Sequence, residues 1–138
     1  MSRLQLAVDV ADLDQAVEFY SQLFDTKPVK IKPGYANFSV SDPPLKLVLF
    51  ENEERGGTIN HLGVEAETMS EVVAAEVRLT GSDLDTTGVQ DVECCYAAKT
   101  ETWVDGPNGI RWEWYVKYSD TEQTETVGIE IGDWSYNR

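Results

Sequence analysis

Two short stretches decide the fold: Gln5-Leu6-Ala7-Val8 near the start and His61-Leu62-Gly63-Val64 near the middle of the chain. Each opens a strand-like segment and precedes a helical pattern. In the first copy the strand is Leu4 to Val10. Asp12 then caps a helix whose Leu13, Ala16, Val17, Tyr20 and Phe24 recur at helical spacing. Val29 to Lys32 and Tyr35 to Val40 follow around the turn Pro33-Gly34, and Leu45 to Glu51 closes the module. Beyond the polar linker 52–57 the order restarts. A helix is expected over Ser70 to Thr80 with Gly81 at its end, and short strands at Val89 to Val92, Tyr96 to Ala98 and Thr102 to Val104. The turn Asp105-Gly106-Pro107-Asn108-Gly109 then leads into Arg111 to Lys117.

The pattern is βαβββ twice. It predicts an α+β fold of two tandem modules, with one domain over 1–118 and modules at about 1–52 and 58–118. Residues 119–138 turn to Asp, Glu, Thr and Ser with scattered aromatics and read as an appended acidic tail, which Ile129, Ile131 and Trp134 could dock.

Composition narrows the function. A formal net charge of −14 disfavours nucleic acid and anionic membranes, since phosphate binding needs clustered Lys and Arg. No leader and no bilayer-length apolar run stand in the sequence, so a cytoplasmic protein, monomeric or homodimeric, is expected. The two cysteines are sequence neighbours, which makes a structural disulfide a strained small ring and leaves them as thiols in a reducing compartment.

His61 is the single histidine, and Gln5 holds the matching position in the first module. Glu113 is a carboxylate in an aromatic and aliphatic strand, Trp112-Glu113-Trp114-Tyr115-Val116, where burial demands a cation. Imidazole, carboxylate and amide oxygen together suit a divalent first-row ion. The alternatives are a simply hydrogen-bonded His61 and a Glu113 paired with Arg111. If Lys46 is laid against Arg111, Glu113 corresponds to Val48, which cannot ligate, so three protein ligands would leave coordination positions open. Cys94-Cys95 offers soft sulfur ligands for a thiophilic species, provided the backbone between Glu93 and Tyr96 is irregular; otherwise one cysteine is a small buried hydrophobe and the other incidental. Tyr35, Tyr96 and Tyr115 are candidate pocket-lining residues.

Pro33-Gly34-Tyr35-Ala36-Asn37-Phe38, Pro43 to Leu49, Asn60-His61-Leu62-Gly63-Val64-Glu65, Cys94-Cys95-Tyr96-Ala97, Trp103-Val104, Gly106-Pro107 and Trp112-Glu113 occur in an order that resembles one group. It is the vicinal-oxygen-chelate superfamily of glyoxalase I, extradiol dioxygenases and bleomycin-resistance proteins, and within it the carbon-arsenic lyase and cadmium-induced-protein branch. The resemblance covers about residues 1–117 and implies that the two modules form an open, mixed, barrel-like sheet around a metal site, the vicinal-oxygen-chelate fold. It implies a non-haem Fe(II) dioxygenase-type lyase that cleaves the carbon-arsenic bond of trivalent organoarsenicals with dioxygen, releasing arsenite. It also implies metal ligation by Gln5, His61 and Glu113, with other divalent first-row metals as possible occupants, and capture of trivalent arsenic by Cys94 and Cys95. Non-enzymatic binding of cadmium or arsenite, and glyoxalase-type isomerisation, are the alternatives.

Overall fold

The computed structural model describes residues 2–94, 96–120 and 127–128, with the backbone alone for Cys94, Val127 and Gly128. Two compact units divide the chain, one of Arg3–Gly63 and the other running on from Val64.

In the first unit, β1 (Arg3–Val10), β2 (Lys30–Lys32), β3 (Tyr35–Val40) and β4 (Leu45–Glu51) stand in the order β2-β3-β4-β1, and β5 (Thr58–Glu65) begins beside β1. The β1–β4 pair is parallel, with Gln5 against Lys46 and Ala7 against Val48. The β2–β3 and β3–β4 pairs are antiparallel. Proline presets one turn residue of the β2–β3 hairpin and Gly34 supplies the φ of +70° that the other needs.

Helix α1 (Leu13–Leu23) starts where Asp12 accepts the Gln15 N–H at 3.1 Å. Glu51 at the end of β4 accepts the Leu13 N–H at 2.9 Å, fastening the helix start to the sheet. Alternation then sorts the side chains. Leu6, Val8 and Val10 face α1 and join Ala36, Phe38, Val40, Leu47 and Leu49 in the apolar core. The opposite face of β1 carries Gln5, Ala7 and Asp9, all buried. Polar groups therefore line the more enclosed side of this strand.

In the second unit, α2 (Met69–Gly81) is capped by Thr68, whose Oγ1 accepts the Glu71 N–H at 3.3 Å. It packs on β7 (Ala97–Asp105) and β8 (Arg111–Asp120) through Val72, Ala66 and Val116. The order here is β8-β7-β6-β9, with β6 at Gln90–Cys94 and β9 at Val127–Gly128.

One expectation is corrected. The strands read at Tyr96 to Ala98 and Thr102 to Val104 are a single strand, β7, paired with β8 along its length apart from a register shift between Ala98 and Lys99. Lys99 and Glu101 look like loop residues in sequence, yet both are buried in this strand because they pair with each other and with β8. In the stretch read as a tail, β9 pairs with β6 through Val127 and Gly128; Ile129, Ile131 and Trp134 lie outside the described residues. Among the described residues no helix is long and apolar enough to cross a membrane.

Candidate functional site

Gln5 on β1 and His61 on β5 come together. Both are buried, at 5% and 4% exposure, and their Nε2 atoms lie 3.2 Å apart. The ring centroid of Phe50 is 6.4 Å from that of His61. The other ring nitrogen, Nδ1, lies 2.8 Å from Asn60 Oδ1. A carbonyl oxygen can only accept, so Nδ1 carries the proton and Nε2 presents its lone pair toward Gln5. This is the tautomer a metal-binding imidazole needs, and anchoring by the second nitrogen is how such rings are usually oriented. A half-turn of the Gln5 carboxamide puts Oε1 where Nε2 stands. The pair thus fits two neutral donors to one divalent ion.

Val48 lies on the same face of the sheet, opposite Ala7 on β1 and Asn37 on β3, and is buried. It adds no donor atom. Asn37 donates through Nδ2 to the Tyr35 hydroxyl at 2.9 Å, while its buried Oδ1 has no hydrogen-bond partner among the described residues. The Tyr35 ring meets Phe50 edge-on at 5.5 Å.

Glu113 belongs to the second unit, as the third residue of β8, and is 1% exposed. The cation its burial demands is Lys99, whose Nζ contacts Glu113 Oε2 and lies 3.3 Å from Glu101 Oε1. Arg111, the partner suggested by sequence, pairs with Asp105 at 3.2 Å and stacks its guanidinium over Trp103, 4.5 Å from the ring centroid. Glu101 is fully buried and also accepts from Trp103 Nε1. On a strand, Lys99, Glu101 and Trp103 share one face with Glu113 and Tyr115 across the ladder, so alternation assembles the cluster. Two carboxylates and one ammonium in so dry a place are tolerable only as a network.

Tyr115 donates its hydroxyl to Glu65 Oε2 at 3.2 Å and has the Lys99 ammonium 5.1 Å above its ring. Burial pushes its phenol well above the usual 10.0, and the charges of Glu65 and Glu113 push it the same way. Tyr115 is therefore a neutral O–H donor at physiological pH. Tyr96 is buried as well.

Cys94 is the last residue of β6, pairing with Ala97, and Tyr96 has φ +64°. Cys95 lies outside the described residues. Among the described residues no three His, Cys, Asp or Glu side chains gather closely enough to hold a metal ion. Sequence reasoning missed Lys99, Glu101, Asn60 and Asp9. The signal present for the first two was Lys-x-Glu-x-Trp alternation, legible only once the segment is known to be one strand.

Comparison with known proteins follows this arrangement. Residues 3–114 match the model of the glyoxalase/bleomycin resistance protein/dioxygenase superfamily. The chain is 52% identical over 122 residues to the cadmium-induced protein CadI of Mycobacterium tuberculosis, covering 88% of this chain and 80% of that protein. It is 49% identical over 123 residues to a trivalent organoarsenical cleaving enzyme of Thermomonospora curvata, covering 88% and 82%. The Mn(II)-bound glyoxalase of Novosphingobium aromaticivorans matches in fold with a TM-score of 0.60 at 16% identity, over 90% of this chain and 44% of that one. The α+β fold of two βαβββ modules, with the vicinal-oxygen-chelate fold that the resemblance implies, is the fold found. With the repeat, the buried Gln5 and His61 pair and these matches in agreement, the chain belongs to the glyoxalase/bleomycin resistance protein/dioxygenase superfamily.

Proposed function

We propose that this protein is an Fe(II)-dependent enzyme that uses dioxygen to cleave the carbon-arsenic bond of trivalent organoarsenicals, with Gln5, His61 and Glu113 as metal ligands and Cys94 and Cys95 as the arsenic clamp. The observation that carries it is the buried Gln5 and His61 pair, with Nδ1 facing Asn60 Oδ1 and Nε2 facing the Gln5 carboxamide. The 49% identity to an organoarsenical cleaving enzyme supports the substrate class.

Iron, when bound, supplies the binding and activation of dioxygen. The chain supplies the rest. Gln5 and His61 give neutral donors and Glu113 one negative charge, which leaves a divalent ion net positive and short of ligands, since Val48 adds none. The two thiols condense with the two hydroxyls of methylarsonous acid, forming two S–As bonds and releasing two waters. That clamp converts an encounter into a positioned reaction. For the methyl substrate the overall change balances as methylarsonous acid plus one dioxygen to arsenous acid plus formaldehyde.

Anaerobic loading with Fe(II), then addition of oxygen and methylarsonous acid, is the test. Arsenite release with stoichiometric oxygen uptake is expected, and wild type that releases no arsenite sinks the enzyme. A Cys95→Ser variant is expected to lose at least most turnover; full activity would remove the clamp. A second reading is binding of cadmium or arsenite without reaction, in keeping with the 52% identity to a protein named for its induction by cadmium. Tight, stoichiometric binding of either without oxygen uptake decides for it. Isomerisation of the glyoxalase type consumes no oxygen and is separated by the same measurement.

A further inference from the structure

We infer that Asp9 and Asn60 form a positioning relay that dictates which nitrogen of His61 carries the proton, and so whether that ring can take a metal ion; the inference rests on the metal reading above. Three side chains lie in series. Asn60 Nδ2 donates to Asp9 Oδ1 at 3.1 Å, and Asn60 Oδ1 faces His61 Nδ1 at 2.8 Å. A carboxylate accepts and does not donate, so only the amide nitrogen of Asn60 can serve Asp9. That choice turns the Asn60 carbonyl toward His61. A carbonyl in turn requires N–H from Nδ1, which leaves the lone pair on Nε2, the atom 3.2 Å from Gln5.

Asp9 is well placed to be the fixed end. It is 2% exposed, its backbone carbonyl accepts from Gly57 at 2.8 Å, and its Oδ2 lies 3.5 Å from Arg55 Nε. With the carboxylate gone, the Asn60 amide can reverse and present its NH₂ to Nδ1. The proton then moves to Nε2, and a metal must displace it before binding. Asp9 acts through Asn60 without touching the ring, so it is a positioning residue.

His61 is the only histidine, so imidazole ¹⁵N spectra of the metal-free full chain read this ring alone. Wild type at a pH where the ring is neutral is expected to show the proton on Nδ1. Asp9→Asn is expected to move population to the Nε2 form and to weaken Co(II) binding about 10- to 100-fold. Asn60→Ala, at a half-buried site, carries the same expectation if Asp9→Asn does not fold. Variants that melt cooperatively, keep the proton on Nδ1 and bind Co(II) within about twofold of wild type overturn the relay. Wild type that binds no Co(II) defeats the metal reading instead, and the nitrogen spectra still decide the relay.

Discussion

The two units arrange similar strands around opposite kinds of buried polar chemistry. In Arg3–Gly63 the polar groups that meet His61 are amides, the buried Gln5 and the half-buried Asn60, with Asp9 behind Asn60 and Lys46 buried on β4 opposite Gln5. In the unit that follows, β7 and β8 hold a dense charged network of Lys99, Glu101 and Glu113. If Val48 is laid against Glu113, the two ladders carry Tyr35 onto Glu101 and Asn37 onto Trp103. Lys99 then falls on Pro33, in the turn before β3. Lys99 therefore has no strand counterpart in the first unit, because β7 runs further than β3. The repeat supplies a frame, and strand length decides where charge can be buried.

Lys99→Met gives the sharpest test of this contrast. It leaves two carboxylates buried without their cation, and removal of one member of a buried ion pair costs about 3–5 kcal/mol. Urea unfolding should show that loss, and Lys99→Met with Glu113→Gln should recover part of it. If the single variant is as stable as wild type, the network is not what permits the burial of Glu113.

The neutral side should be cheaper to disturb. Gln5→Leu removes one donor to His61 and is expected to cost about 1–2 kcal/mol by the same unfolding curve. It should weaken Co(II) binding far more conspicuously than it weakens the fold. A loss as large as that of Lys99→Met would erase the distinction between the units.

Tyr115 sharpens the charged side through pH. Its folded phenol titrates above its unfolded one, so its contribution is fully present below about 10.0 and drains away as pH rises toward the folded value. Tyr115→Phe should flatten the alkaline fall in stability relative to wild type, and an unchanged slope above pH 10 would count against the burial effect. The smallest change belongs to the surface pair of Lys117 and Asp120, 2.9 Å apart and largely exposed. Lys117→Ala should shift stability by less than about 0.5 kcal/mol.

The sequence by itself determined the repeat, because helical spacing, alternation and turn residues are local signals. Leu13, Ala16, Val17, Tyr20 and Phe24 do pack as one helix face on the first unit's core. It also marked Glu113 as a buried charge in need of a cation, and it aligned Gln5 with His61. Only the tertiary structure decided which cation answers Glu113, since Lys99 is fourteen residues away and reaches it across a ladder whose register no local pattern states. The same holds for Asp9, which meets Asn60 from a strand fifty-one residues earlier and so settles the proton on His61. Local patterns write strands and helices; pairing between distant strands chooses the partners of buried polar groups, because each such group must find its hydrogen bonds wherever the fold brings them.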